Sequence, residues 1–211
     1  MTIEITPRDV LVVVDMQYDF LPGGSLAVDG GDEIVPLINT LAGHFTNVVL
    51  TQDWHPADHI SFASQHEGRQ AFEMIELRYG PQVLWPDHCI WDSHGAKISA
   101  DLHIPHGQLI IRKGYNRQID SYSGFQEADR ETQTGLAGYL GERDVGRLYV
   151  VGLATDFCVG WTAIDGAAAG FDVTVIEDAT RAIDNAGSLA KAWADMEEAG
   201  VDRVMSKDIL G

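Results

Sequence analysis

The chain has 211 residues, 45% of them hydrophobic and 22% charged, with 32 acidic against 14 basic side chains and a formal net charge of −18. This length and apolar content suffice for one compact α/β core, so we expect a single domain over residues 1–211. The acidic surplus argues against nucleic acid and anionic membranes as partners, because both attract Lys and Arg. No signal-peptide pattern is present and the apolar runs are too short to cross a bilayer, which predicts a soluble cytoplasmic protein.

Six short runs rich in Val, Ile and Leu predict buried parallel strands, because they do not alternate with polar residues. The runs lie at 9–15, 47–53, 108–113, 147–153, 172–178 and roughly 202–206. Helix-like stretches lie between them at about 31–45, 126–141, 157–169 and 185–199. Three of these stretches stop at a glycine, which favours a helix end there: Gly141, Gly170 and Gly200. The alternation predicts an α/β fold, a three-layer, doubly wound, mostly parallel six-stranded sheet with helices on both faces.

The interval at about 54–107 interrupts this alternation. It contains no long periodic segment, and its prolines are Pro56, Pro81, Pro86 and Pro105. Irregular segments of this length within compact domains are commonly functional. We therefore expect a long binding insertion here.

The residues that end the predicted strands are candidates for a site, because open parallel sheets bind ligands beyond the carboxyl ends of their strands. The first strand ends on Asp15, the third ends on Lys113, and the fourth continues through VVGLATDFC to Cys158. Cys158 follows two potential N-caps, Thr155 and Asp156. We expect it in the first turn of a helix, where backbone N–H groups and the helix dipole favour a thiolate and can hold an oxyanion.

Asp15, Lys113 and Cys158 together form a chemically coherent unit. A carboxylate can take the thiol proton and return it to a leaving amine, while a nearby ammonium favours ionised neighbours. Each residue also has an ordinary structural alternative, since charges at strand ends are commonly exposed and a free cysteine is often a small core residue. Their convergence on one sheet edge favours a catalytic cysteine.

The stretch QDWHPADHISF at 52–62 concentrates potential metal ligands directly after the second strand. The candidates are Asp53, His55 and His59, with either His88 or Cys89 of WPDHC as a fourth. Zn²⁺ or Fe²⁺ suits an Asp/His set that leaves coordination positions open. A solvated turn is the alternative, but the neighbouring candidate thiol favours a catalytic metal loop.

Five motifs occur in a fixed order between about residue 10 and about residue 180: VVVDMQYDF, TQDWHPADHISFASQH, WPDHC, KG followed by DSYSGF, and VVGLATDFCV. Together they closely resemble the nicotinamidases, within the isochorismatase-like cysteine hydrolase superfamily. The resemblance implies an isochorismatase-like hydrolase fold, a catalytic triad and a metal site. The triad would be Asp15, Lys113 and Cys158, and the metal ligands would be Asp53, His55, His59 and His88. It also implies a cis peptide at Leu153–Ala154, an oxyanion site formed by the N–H groups of Ala154 and Cys158, and a substrate pocket lined by Phe20, Trp85 and Tyr122.

The activity implied by the resemblance is hydrolysis of nicotinamide to nicotinate and ammonia in NAD salvage, with pyrazinamide as a second substrate. One divalent metal ion per chain would be Zn²⁺, Fe²⁺ or Mn²⁺, and homo-oligomer formation stays open. One alternative is a metal-free carbamoyl amidase, which would share the triad but has no use for DWHPADH. An isochorismatase is disfavoured because it needs no cysteine at position 158. The other alternative is a catalytically silent metal-binding protein, in which Cys158 is an inert core thiol.

Overall fold

The computed structural model describes residues 2–211, and a six-stranded parallel sheet forms its centre. The strands are β1 (Asp9–Val14), β2 (Asn47–Asp53), β3 (Met74–Leu77), β4 (Gly80–Val83), β5 (Leu109–Lys113), β6 (Arg147–Leu153), β7 (Asp172–Arg181) and β8 (Asp202–Val204). The helices are α1 (Val35–Ala42), α2 (Leu136–Glu142), α3 (Gly160–Ala168), α4 (Ser188–Glu198) and α5 (Lys207–Leu210), and a π-helical turn spans Thr155–Val159. The order across the sheet is β5-β2-β1-β6-β7-β8, while β3 and β4 form a separate antiparallel hairpin.

The sheet is covered on both faces, as the continuous apolar strands predict. Leu11 and Val13 of β1 pack in one core with α1 and α5, whereas Val10, Val12 and Val14 pack in a second core with α2, α3 and α4. Successive side chains of a strand point to opposite faces, so a strand buried on both sides must be apolar at every position. The three-layer α/β prediction is therefore confirmed.

The strand order reverses at β1. The chain proceeds outward from β1 to β2 and β5, and β6 then pairs with the other side of β1. Gly152 of β6 lies opposite Val14 with φ +110°, and a Cβ there would lie 2.1 Å from the Val14 carbonyl oxygen. Glycine thus allows a close approach of the two backbones at the switch point, where parallel sheets bind ligands.

Some predicted helix boundaries are wrong. The predicted helix at 126–141 begins only at Leu136, because residues before it form turns, including one in which the Asp129 carboxylate accepts hydrogen bonds from the Thr132 N–H and hydroxyl groups. Such local side-chain hydrogen bonds compete with a helix. Gly141 consequently lies inside α2 instead of ending it, and the stretch at 31–45 is helical only over Val35–Ala42.

The interval 54–107 contains the β3–β4 hairpin, which the sequence pattern did not predict. Its strands have only four residues each, and Met74 on the hairpin is exposed. So short a half-exposed hairpin leaves little hydrophobic periodicity to detect. Within residues 2–211, no helix is long and apolar enough to cross a membrane.

Candidate active site and metal centre

The three predicted triad residues meet at the carboxyl edge of the sheet. Asp15 directly follows β1, Lys113 ends β5, and Cys158 lies in the π-helical turn after β6. The Lys113 Nζ atom is 2.8 Å from Asp15 Oδ2 and 3.3 Å from Cys158 Sγ. Asp15 and Lys113 are fully buried and Cys158 is 7% exposed, so the alternative of exposed strand-end charges is wrong.

Lys113 also joins the thiol site to the candidate metal ligands, which the sequence pattern did not predict. Its Nζ atom donates to Asp53 Oδ1 at 2.5 Å and to the Ser121 carbonyl at 3.1 Å. One ammonium is therefore shared by two buried carboxylates. Its position on the strand beside β2 explains this, because Asp53 and Lys113 are paired in register.

The Asp15 carboxylate is held by Thr51, a residue that the sequence pattern did not single out. Thr51 Oγ1 donates to Asp15 Oδ1 at 2.6 Å and accepts the Asp15 N–H at 3.2 Å. Asp15 Oδ2 contacts the Lys113 ammonium without a hydrogen bond of normal geometry, and an oxygen of this carboxylate lies within 4.8 Å of Cys158 Sγ. Oδ2 is thus the oxygen available for the thiol proton.

Burial determines the resting protonation of the thiol. Burial raises the pKa of Cys158 well above its usual value, and the positive charge of Lys113 only partly opposes this. Burial also raises the pKa of the Asp15 carboxyl, again against the effect of Lys113. Both shifts favour the neutral Cys158 thiol, whereas the helix dipole alone would favour a thiolate. For this sulfur to act as a nucleophile, a base would have to take its proton.

Asp15→Asn should slow alkylation of Cys158 by about 10²–10⁴-fold, since an amide of the same shape cannot accept the thiol proton. Alkylation is followed at pH 7 by mass spectrometry of the labelled peptide. The control is Asp9→Asn, which alters a buried carboxylate at the opposite end of β1 that pairs with Arg147. Equal alkylation rates in Asp15→Asn and wild type would show that Asp15 does not activate the thiol.

Lys113→Met should lower the free energy of unfolding of the metal-free protein by about 3–5 kcal/mol, because two buried carboxylates lose their counter-charge. Urea denaturation measures this change. Lys191→Met is the control, because Lys191 forms an exposed pair with Asp195 whose loss costs about 0–1 kcal/mol. A loss below about 1 kcal/mol for Lys113→Met would contradict the buried-pair account.

The turn that carries Cys158 differs from the predicted helix start. Thr155 Oγ1 donates to Thr180, and the Asp156 carboxylate accepts hydrogen bonds from the N–H groups of Ile183 and Asp184, so neither side chain caps the helix. The peptide between Leu153 and Ala154 is cis, as the resemblance implies. A small cavity lies at this edge of the sheet. Ala154 and Cys158 both line it, so the two predicted oxyanion residues share one surface.

Asp53, His55 and His88 form a compact ligand group at this pocket. The Nε2 atoms of His55 and His88 lie 3.6 and 3.8 Å from Asp53 Oδ2. Ligands at about 2.0–2.2 Å from a tetrahedral ion lie roughly 3.3–3.6 Å apart, so the His55 spacing fits and the His88 spacing is slightly longer. Each imidazole donates its Nδ1–H to a carbonyl, of Gly114 or of Pro86, at 2.8 Å, which leaves each Nε2 lone pair available for a metal.

His59 lies beside His55 but outside this group. Its Nε2 atom contacts the Ile119 carbonyl at 3.1 Å and must donate, while Nδ1 is 2.7 Å from Ser61 Oγ and accepts. Burial, followed by the charge of His55, lowers the pKa of His59 to about 4, which keeps this ring neutral at pH 7. Both ring nitrogens are engaged, so His59 would have to release one partner to bind a metal directly.

Phe20, Trp85 and Tyr122 all line the small cavity that contains Cys158 and the ligand group. The indole Nε1–H of Trp85 donates to the Tyr122 hydroxyl at 3.0 Å, which fixes the two rings nearly perpendicular to each other. The sequence pattern did not indicate four further lining residues: Leu26, Asp120, Phe157 and Ile183. Asp120 and Phe157 each lie within one of the five motifs, close in sequence to Tyr122 and Cys158. Their nearness to these predicted site residues is the sequence signal that could have identified them.

These features define a class of protein: an open parallel α/β sheet with a thiol, a carboxylate and an ammonium at its switch point. A family model described as the isochorismatase domain matches residues 9–208. The chain belongs to the isochorismatase family.

Curated relatives and solved structures cover nearly the whole chain. A nicotinamidase of Acinetobacter baylyi is 58% identical over 200 residues, covering 95% of this chain and 94% of the relative. The structure of a nicotinamidase and pyrazinamidase of Acinetobacter baumanii has 59% identity and a TM-score of 0.95, covering 96% of this chain and 98% of that one. A pyrazinamidase of Pyrococcus horikoshii, solved in complex with zinc, has 34% identity and a TM-score of 0.76, covering 94% of this chain and 99% of that one.

Proposed function

We propose that this protein is a metal-dependent cysteine amidohydrolase that converts nicotinamide to nicotinate and ammonia, and pyrazinamide to pyrazinoate. The observation that carries the proposal is the position of Lys113. Its ammonium contacts both Asp15, the carboxylate beside the thiol, and Asp53, the carboxylate of the ligand group. A nucleophile and a substrate-orienting centre thus share one aromatic pocket. The similarity to nicotinamidases over nearly the full chain supports the same substrate class.

In the proposed reaction, Asp15 takes the proton of the Cys158 thiol and the sulfur adds to the amide carbon. The N–H groups of Ala154 and Cys158 hold the resulting oxyanion. Asp15 returns the proton to the amide nitrogen, the C–N bond breaks and ammonia leaves a thioester. Asp15 then takes a proton from water, whose oxygen adds to the thioester carbon. The C–S bond breaks, Asp15 returns its proton to the sulfur to restore the thiol, and nicotinate leaves after its acid proton passes to solvent. Lys113 balances the charge of Asp15 throughout.

We propose Asp53, His55 and His88 as direct ligands of one divalent ion, and we retain His59 as the fourth predicted ligand. When bound, the ion supplies a Lewis-acidic position for the ring nitrogen of the substrate. Phe20, Trp85 and Tyr122 enclose the ring and exclude water. The zinc in the Pyrococcus horikoshii relative and the carbonyl-bound Nδ1 atoms of His55 and His88 support a metal here. Zn²⁺, Fe²⁺ and Mn²⁺ are all candidates for the ion.

The ligand group disfavours a metal-free carbamoyl amidase, which would need the triad alone. The burial of Asp15, Lys113 and Cys158 in mutual contact disfavours a catalytically silent protein. We further propose one domain over 1–211, with a metal- and substrate-binding insertion at about 54–107, in a cytoplasmic enzyme that acts on small amides.

The deciding experiment measures ammonia released from nicotinamide and pyrazinamide by the purified protein, with metal content determined on the same sample. We expect release from both amides in proportion to bound metal. Hydrolysis of carbamoyl compounds by metal-free protein, without release from nicotinamide, would favour the alternative enzyme.

A further inference from the structure

Gln17 and Asp19, in the segment after β1, contact the two parts of the chain that carry the candidate metal ligands, but neither residue is itself a candidate ligand. One part, the first ligand loop, includes Asp53 and His55, and the other, the second ligand loop, includes His88. Gln17 is fully buried. Its side-chain oxygen accepts the Asp53 N–H at 2.8 Å, and its amide group donates to the Asp53 carbonyl at 2.8 Å. Two residues further on, the Asp19 carboxylate accepts the Cys89 N–H at 2.7 Å. This segment thus contacts both loops that carry candidate ligands.

Cys89 is where those two loops meet. It follows His88 directly in the chain, and its carbonyl accepts the His55 N–H at 3.0 Å. Its backbone has φ +46°, a left-handed conformation that non-glycine residues rarely adopt. A residue keeps such a conformation only where its surroundings enforce it. The Asp19 carboxylate supplies a charge-assisted hydrogen bond to the N–H group of this residue.

The Asp19 carboxylate is itself closely confined. A Cβ at Gly95 would lie 2.1 Å from its carboxylate atoms, and the Asp19 N–H donates to the Gly95 carbonyl at 3.0 Å. The bare glycine backbone therefore packs directly against the carboxylate. A carboxylate confined in this way can fix the position of the atoms it contacts.

We infer that Asp19 is a positioning residue for the metal centre, because its carboxylate holds the Cys89 backbone and through it both His88 and His55. This inference rests on the metal site of the proposed function. The hydrogen bond from the Cys89 N–H to Asp19 involves no candidate ligand side chain, and it involves neither Asp15 nor Lys113. Loss of the Asp19 carboxylate should therefore weaken metal binding while leaving the thiol chemistry in place.

The test titrates metal-free protein with Zn²⁺ in competition with a chromophoric chelator. Asp19→Ala should raise the dissociation constant for Zn²⁺ by about 10–100-fold, the usual effect of losing an outer hydrogen-bond partner of a metal site. Asp19→Asn retains a side-chain oxygen that can accept the Cys89 N–H, and it should recover most of the affinity. Peptide mass spectrometry should show Cys158 alkylated at the wild-type rate in both variants.

Tyr18→Phe is the matched control, because the neighbouring Tyr18 hydroxyl accepts the Ala100 N–H at 3.0 Å, away from the ligand group. It should bind Zn²⁺ as wild type does. A folded Asp19→Ala protein with wild-type Zn²⁺ affinity would overturn the inference. If Asp19→Ala does not fold, Asp19→Glu decides, since its longer side chain displaces the carboxylate: weaker binding with a native circular dichroism spectrum supports the inference, and unchanged binding overturns it.

His88→Ala separates failure of the inference from failure of the proposed metal site. If wild type and His88→Ala bind Zn²⁺ equally, the ligand group is not a metal site and both proposals fall. If His88→Ala loses affinity but folded Asp19→Ala does not, only the positioning role is wrong.

Discussion

Cys158→Ala should abolish release of ammonia from nicotinamide, with a fall in kcat on the order of 10⁴-fold or more, because the attacking atom is gone. Substrate binding and folding should persist. The change removes one sulfur atom from a residue that is 7% exposed, and the proposed metal ligands lie in other segments of the chain. Turnover is measured by ammonia release, and nicotinamide binding to the variant by calorimetry.

Cys89 provides an internal control for this variant. It is a fully buried free thiol whose pKa is raised well above its usual value by burial. Burial raises the pKa of Cys158 as well, but Cys158 lines the cavity and has the Asp15 carboxylate beside it. Alkylation of the folded wild type should therefore label Cys158 faster than Cys89, and Cys158→Ala should lose this faster labelling. Activity within about tenfold of wild type would contradict a covalent mechanism, because removal of a nucleophile costs far more.

Removal of the metal should abolish nicotinamide turnover without unfolding the protein. A structural site closed by four protein ligands contributes folding energy, so its chelation melts a small domain. This sheet is instead covered on both faces by apolar cores that do not include the ligand side chains. Far-UV circular dichroism before and after chelation measures the fold, and ammonia release before and after adding Zn²⁺, Fe²⁺ or Mn²⁺ measures recovery.

Two further measurements separate orientation of the substrate from support of the fold. Nicotinamide should bind the stripped protein much more weakly than the loaded protein, whereas benzamide, which lacks the ring nitrogen, should bind poorly to both. Cys158 should react with a small alkylating agent at a similar rate in both states, because Asp15 and Thr51 remain in place. Global unfolding on chelation, or equal nicotinamide affinity in both states, would show that this site does not orient the substrate.

The centre of the sheet was predictable because β1, β2 and β6 are buried along almost their whole length, whereas the prediction of burial was wrong for the edge strands β5 and β8, which are partly exposed. The stretch DVLVVVD at 9–15 has five consecutive apolar residues without polar alternation, a pattern typical of a central parallel strand. Parallel order then places the carboxyl ends of all strands at one edge, which brings Asp15, Asp53 and Lys113 within reach of one another. The motif resemblance identified the same residues independently of this geometry.

Contacts that depend on exact distances were not predictable. Nothing in the sequence pattern shows that Lys113 contacts Asp53 as well as Asp15, or that the His59 ring nitrogens are engaged by Ser61 and Ile119. Strand-end residues suggest proximity, but hydrogen-bond partners depend on side-chain rotamers and loop paths. The turns before α2 were missed for a related reason, because local capping of the backbone by Asp129 leaves no periodic pattern.

The distribution of the proposed triad over three strand ends has a consequence for refolding. Asp15, Lys113 and Cys158 come together only when β1, β2, β5 and β6 have paired, and none of these residues is close to another in sequence. Long-range pairing of parallel strands is a slow part of folding, since large loops must close first. Release of ammonia from nicotinamide by a refolding chain should therefore return no earlier than the assembled sheet, so the recovery of activity measures when these strands have paired.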